Sequence, residues 1–239
     1  MPSLALANDM KLIQYVKDFV SLLYPPLCAS CERPLYEHET YVCSYCLFHL
    51  PITNFHVDEA NAAAKQLWGR VHLKRVSSYL YFVPETGVQR LLHQLKYASR
   101  PELGTWLGAQ YGHMLKDTAF SRADVIIPVP LHPKKHKQRG YNQSEYFGKG
   151  LSETLHIPME VNNLIRHTLT ASQTTKSRFE RFENMQTIFE VRNPSSLHDK
   201  HILLVDDVLT TGATIEACAH KLLEIPHVRV SVVTLAYTK

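Results

Sequence analysis

The segment His201-Ile-Leu-Leu-Val-Asp-Asp-Val-Leu-Thr-Thr-Gly-Ala-Thr214 ends an apolar run in two adjacent carboxylates, Asp206 and Asp207, and follows them with a Thr/Gly turn. A short apolar run stopped by charge reads as a buried strand, and open α/β sheets bind small molecules at the carboxyl ends of their strands. The turn then opens a helix. Backbone N–H groups at a helix N-terminus favour a phosphate, Gly212 permits close backbone approach, and the hydroxyls of Thr210, Thr211 and Thr214 add donors around Ala213. Asp206 and Asp207 cannot touch that phosphate without repulsion; they suit sugar hydroxyls or a magnesium ion beside it. An ATPase strand would share the carboxylates, but G-x-x-x-x-G-K-[ST] does not occur in the chain.

Two further clusters can do chemistry. Pro128-Val-Pro-Leu-His-Pro-Lys-Lys-His-Lys-Gln-Arg-Gly-Tyr-Asn-Gln143 reads as a strand end, a turn, a basic run and a helix start. Lys134, Lys135, Lys137 and Arg139 can neutralise phosphoryl oxygens, Arg139 bidentately. On composition alone, a solvated or nucleic-acid-contacting loop is the better reading of that run. Cys28, Cys31, Cys43 and Cys46 form two C-x-x-C pairs separated by eleven residues. Four thiolates complete the tetrahedral shell zinc prefers in structural sites, which are closed and hence non-catalytic. Redox dithiols or two disulfides are the alternative; two matched pairs in a chain without secretory features favour zinc. His38 is surplus to a shell filled by four sulfurs, and Cys218 reads as a small core residue.

The elements that must position these groups follow from periodicity. Met10, Ile13, Val16, Val20 and Leu23 make a short amphipathic helix ended by Pro25 and Pro26. From about residue 70, strand-like and helix-like segments alternate, which argues a parallel α/β sheet. Strands are expected at Val76–Val83, Asp124–Pro130, Met159–His167, Gln186–Val191, His201–Val205 and Val228–Ala236. Helices are expected at Gly87–Tyr97, Leu103–Leu115, Asn142–Leu155 and Thr214–Leu223. A division follows into residues 1–60, an amphipathic helix with a four-cysteine zinc module, and residues 61–239, an α/β domain.

The 239 residues are 45% hydrophobic and 20% charged, which excludes a mainly disordered or fibrous chain. Lys plus Arg is 26 against 22 for Asp plus Glu, a net +4 too mild to argue nucleic-acid binding by itself. No run is long and apolar enough for a membrane span, and Asp9, Lys11, Lys17 and Asp18 interrupt any signal-peptide core. A cytoplasmic location is expected, with peripheral association with the inner membrane through the amphipathic helix left open.

The two acids with T-T-G-A-T resemble the signature of the type I phosphoribosyltransferases. P-V-P-L-H-P followed by R-G-Y-N-Q, with the four-cysteine module ahead, is similar to the ComF family of competence-associated, phosphoribosyltransferase-like proteins, and the likeness spans nearly the whole chain. Leu95-Lys-Tyr97 resembles that family's L-K-[FY] segment, although Lys96 fits a solvated helix position equally well. Ser172-Gln-Thr-Thr-Lys-Ser-Arg-Phe-Glu-Arg181 resembles its polar loop, with Ser172 where the family usually has proline. The resemblance implies a type I phosphoribosyltransferase fold, a mostly parallel central sheet flanked by helices, with a small N-terminal zinc module. It implies phosphoribosyl pyrophosphate as ligand, structural zinc and magnesium. Asp206, Asp207, Arg139 and Lys134 would be catalytic. Thr210, Thr211, Gly212, Ala213, Thr214, Pro130, Leu131, His132, Lys96, Gln173, Arg178 and Arg181 would complete the substrate site. The implied role is natural transformation, with single-stranded DNA and other competence proteins, such as a DNA-translocating helicase or recombination mediator, as partners. A non-catalytic ligand-binding module and a nucleobase-salvage enzyme unconnected with DNA stay open, as does turnover itself.

Overall fold

A computed structural model describes residues 24–97, 100–167 and 188–238. The chain forms two compact units, Met1–Leu50 and Pro51–Lys239. The predicted N-terminal helix lies outside the described residues. Residues 51–60 belong with the second unit, where Ile52 bridges Leu80 and Thr53 N–H donates to the Tyr79 carbonyl (3.0 Å).

The first unit is built on the cysteine pairs. Leu27 bridges Pro34 around the first pair, and helix α1, Ser44–Phe48, begins inside the second, with Cys43 as its N-cap and Cys46 in its first turn. Its apolar interior among the described residues is only Cys28, Ala29, Val42, Cys43 and Leu50.

The second unit is an α/β sandwich. Its elements are α2 (Ala62–Leu67), β1 (Val76–Tyr81), α3 (Gly87–Tyr97), α4 (Pro101–Leu115), β2 (Val125–Pro128), α5 (Pro133–Arg139), α6 (Gln143–Leu155), β3 (Leu164–Arg166), β4 (Phe189–Val191), β5 (His201–Leu209), α7 (Ala213–Leu223) and β6 (Arg229–Tyr237). The main sheet runs β1-β6-β5-β2 with every neighbour parallel, as the alternation predicted. Its strands are almost continuously buried, because helices cover both faces. Val125, Ile127, Ile202, Leu204, Val230 and Val232 pack with α2 and α7 on one face. On the other face Ile126 and Val205 approach Gly148 of α6, and Ser77 bonds the hydroxyl of buried Tyr111 of α4 (2.5 Å).

Helices α4 and α6 meet backbone to backbone. A Cβ on Gly108 would lie 2.1 Å from the Phe147 carbonyl oxygen, and one on Gly150 would lie 1.9 Å from that of Thr105. This contact fixes the start of α6 beside β5, which matters for the site.

Three elements differ from expectation. The basic run forms a helix of its own: Pro133 starts α5, the His132 side chain accepts from Lys134 N–H (3.2 Å), and Gly140 ends it at φ +80°. Only Leu164–Arg166 of the expected Met159–His167 strand is regular; Met159 makes an isolated parallel bridge to Ile126 before the chain turns away. β3 and β4 pair antiparallel in a separate two-stranded sheet instead of joining the main one.

Candidate functional site

The acid pair lies where β5 runs past β2, its neighbour, which ends at Pro128 opposite Val205. Asp206 is buried, and its Oδ1 accepts from Ser144 Oγ (2.9 Å) and from Asp207 N–H (2.8 Å). Burial, reinforced by the neighbouring Asp207 charge, pushes the Asp206 carboxyl up to about 7 against the opposing pull of its hydrogen bonds and of Lys96. Asp207 is more open, and its Oδ2 lies 3.1 Å from Lys96 Nζ at the end of α3. Lys96 is therefore a partner of the acid pair and not a solvated helix residue. Asp206 is thus an acid poised between its two states near neutral pH.

The loop after β5 is held by groups the sequence did not reveal. Gln66 Nε2 donates to the Thr210 carbonyl, and Arg70 Nη1 donates to that of Thr211 (2.7 Å). Arg70 is itself fixed by an ion pair with Glu216 in the first turn of α7. With its carbonyls so engaged, the loop presents exposed Thr210 and Thr211, and the Ala213 N–H has only a long 3.5 Å contact to Thr211 Oγ1. Gly212 turns the chain at φ +78°, and a Cβ there would lie 2.7 Å from Leu67 Cδ2. Left-handed backbone and close packing both demand glycine. Ala213 and Thr214 open α7.

The basic segment approaches from β2. Pro130, Leu131 and His132 are half-buried between β2 and α5, while Lys134, Lys135 and Lys137 are exposed and make no ion pair among the described residues. Burial, followed by the charges of Arg166, Lys134 and Lys135, lowers the His132 pKa, so His132 faces a concentration of positive charge. Arg139 turns inward: Nη1 donates to Gln143 Oε1 (2.8 Å), the guanidinium lies 5.4 Å from the ring centre of Tyr97, and its buried Nε has no hydrogen-bond partner. Tyr97 adjoins Lys96 in sequence, so α3 ties the basic segment to the acid pair. Asn142 caps α6 and donates Nδ2 to the Val129 carbonyl (3.0 Å), placing Ser144 on Asp206. Gln173, Arg178 and Arg181 lie outside the described residues.

Ser144, Gln66, Arg70 and Glu216 were missed by sequence reasoning. Ser144 had a signal, since Asn142 marks the helix start and puts Ser144 in its first turn. Gln66 and Arg70 had none; they precede the loop they hold by more than 140 positions.

In the first unit, the sulfurs of Cys28, Cys31, Cys43 and Cys46 lie within 4.8 Å of one another, and those of Cys31 and Cys43 are 3.8 Å apart. Zn–S bonds of about 2.3 Å in a tetrahedron set sulfurs about 3.8 Å apart, so this set fits zinc. Ser30 N–H (3.4 Å) and Cys43 N–H (3.3 Å) donate to Cys28 Sγ, and Cys46 N–H donates to Cys43 Sγ (3.4 Å). Such donors stabilise metal-bound thiolates. Burial raises the Cys43 and Cys46 thiols, while hydrogen bonds, chiefly from Arg33, lower Cys31 against its own burial, so a dication is what would hold all four as thiolates here.

Residues 142–239 match the phosphoribosyl transferase domain family. Over 219 residues the chain is 31% identical to the DNA utilization protein YhgH of Escherichia coli O157:H7, covering 84% of this chain and 92% of that one. It is 36% identical over 96 residues to Competence protein F of Haemophilus influenzae, 38% of this chain and 41% of that protein. Competence protein ComFC of Bacillus subtilis is 34% identical over 101 residues, 42% of this chain and 38% of that protein. Among solved structures, a purine phosphoribosyltransferase from Pyrococcus horikoshii Ot3 aligns at 18% identity and a TM-score of 0.38, over 56% of this chain and 73% of that one, too loosely to carry an argument.

Proposed function

The chain belongs to the ComF family, and from that premise we propose that it binds phosphoribosyl pyrophosphate with magnesium at the carboxyl end of its sheet and serves natural transformation, in DNA uptake and the handling of incoming single strands. Its second unit has the type I phosphoribosyltransferase fold.

The junction of β5 and α7 carries the ligand reading. An acid pair with its own lysine stands directly before a glycine-turned loop whose carbonyls are already engaged by Gln66 and Arg70. The loop N–H groups and Thr210, Thr211 and Thr214 would cradle a 5′-phosphate, and Asp206 and Asp207 would address the ribose hydroxyls. Ser144 orients Asp206, and Lys96 orients Asp207. Arg139 and Lys134 bring positive charge to the pyrophosphate side, and His132, whose charging burial and nearby cations oppose, offers a neutral ring there. Two carboxylates alone make a poor cage for magnesium; Asp206 and Asp207 would hold it together with the ligand, and it would supply charge that helps neutralise the leaving group. If the site turns over, a nitrogen nucleophile displaces pyrophosphate from C1 of the ribose, and charge neutralisation, rather than a general base, does most of the work.

Calorimetric titration with phosphoribosyl pyrophosphate and magnesium tests the site. Binding is expected for the parent and lost in Asp206→Asn/Asp207→Asn; unchanged affinity in that variant overturns the assignment. Pyrophosphate release with a panel of nucleobases separates an enzyme from a non-catalytic binding module. A transformation defect on deletion separates the competence role from base salvage. Affinity for single-stranded DNA that falls steeply with salt would support direct strand contact through residues 134–139.

A further inference from the structure

At the end of the sheet opposite the acid pair, a cavity of about 490 Å³ opens where β1, β5 and β6 begin. Lys74 and Arg75 line it from the segment before β1, Arg122 from the 3-10 turn Ala119–Arg122, and Arg229 from the first position of β6. Glu59 is the single acid in its wall, and it is ion-paired to Arg75 (2.5 Å). Lys74, Arg122 and Arg229 make no ion pair among the described residues. Asp124, close by, uses its Oδ2 to accept the His201 N–H (2.7 Å).

His201 and Ser231 belong to the same wall. Both are buried, and His201 Nε2 lies 2.8 Å from Ser231 Oγ. Burial holds the His201 imidazole below its ordinary pKa, so it contributes a neutral hydrogen-bonding surface, and the charge comes from the lysine and arginines around it.

The fold does not explain this gathering of charge. Ligands of open α/β sheets sit at the carboxyl ends, and the amino ends need only cover their strand starts. Cations brought together around a concavity repel one another unless an anion joins them. The volume lies inside the range of small-ligand sites, roughly 300–1,000 Å³. The wall contains no phenylalanine, tyrosine or tryptophan on which successive bases could stack, and the cations close on one hollow instead of tracking along a groove. A compact phosphate ester fits these features better than a nucleic-acid strand does.

We propose that the cavity at the amino end of the sheet is a second anion site, taking a phosphate-bearing small molecule of nucleotide size, distinct from the site at the carboxyl end. Lys74, Arg122 and Arg229 contact the phosphate, and His201 with Ser231 supplies the polar back wall.

Equilibrium titration with AMP, and separately with inorganic pyrophosphate, tests this in the full chain. Arg122→Ala/Arg229→Ala should weaken AMP binding at least about tenfold, the loss expected for charge-assisted contacts. The arginine-dependent part of that binding should persist in Asp206→Asn/Asp207→Asn, which removes any AMP held by the acid pair at the other end of the sheet. Both arginines are exposed, and Arg122→Gln/Arg229→Gln, with its melting temperature measured beside the parent's, separates lost contact from lost fold. The proposal is overturned if AMP and pyrophosphate fail to saturate in the millimolar range, or if only the acid-pair variant loses them. It is also overturned if an oligothymidylate binds through the same arginines more tightly than AMP. Failure of phosphoribosyl pyrophosphate to bind at the carboxyl end would leave this test untouched.

Discussion

Asp206 is a carboxyl group whose surroundings oppose its charge. It is 9% exposed, beside Asp207, with Ser144 and one backbone N–H as its hydrogen-bond donors. Its folded pKa of about 7 stands above the roughly 3.9 of an unfolded chain. Between those values the native state holds more protons than the unfolded state, so stability falls as pH rises through the window and is lowest above 7. Asp206→Asn keeps an oxygen for Ser144 and the Asp207 N–H and removes the charge. Its urea midpoint should match the parent near pH 4 and exceed it at pH 8, while ligand binding is lost. A parallel pH dependence in both proteins would mean that Asp206 is ionised throughout. A stability cost of this kind is what an acid kept for a ligand's hydroxyls would leave behind. Lys96 acts in the opposite direction on Asp206: Lys96→Met should push Asp206 further toward protonation and shift the pH dependence of ligand binding upward.

At the scale of elements, the α4–α6 contact decides whether those side chains meet. Gly108→Ala and Gly150→Ala each drive a methyl into a backbone carbonyl that cannot yield, so each should cost on the order of 3 kcal/mol in a denaturant titration. Gly148→Ala is the control, because its Cβ would meet the flexible Met159 sulfur at 3.1 Å, and it should cost less than about 1 kcal/mol. Since α6 begins at Gln143 and carries Ser144, the two severe variants should also weaken ligand binding, whereas Gly148→Ala should not. Amphipathic spacing made α3 legible in the sequence: Val88, Leu91, Leu92 and Leu95 are its buried face. The acid pair and its loop were legible because strand, turn and helix are contiguous there. The backbone contact of α4 with α6, and the hold of Gln66 and Arg70 on the loop, were not. Both depend on residues far apart in the chain, whose local pattern is identical whether or not the partner is present. The basic run was misjudged as irregular because its charges masked the helix-starting pair His132-Pro133.

For the molecule as a whole, the two units rest on different sources of stability. The second has a continuous apolar core on both faces of a four-stranded sheet. The described part of the first buries five apolar residues, and two of them, Cys28 and Cys43, belong to the thiol set itself. So few contacts cannot offset the conformational entropy of ordering residues 24–50, which costs roughly 1–2 kcal/mol per residue in the backbone alone. The binding energy of a metal would then be folding energy for this unit. Metal analysis of protein purified under reducing conditions without chelators should give about one zinc per chain. Chelation, or Cys28→Ser, should raise amide hydrogen exchange throughout residues 24–50 while β5 and β6 stay protected, because their ladders lie inside the second core. Uniform loss of protection across both units would show that they fold as one. Unchanged protection of residues 24–50 without metal would show that the four cysteines are held by the fold and not by an ion.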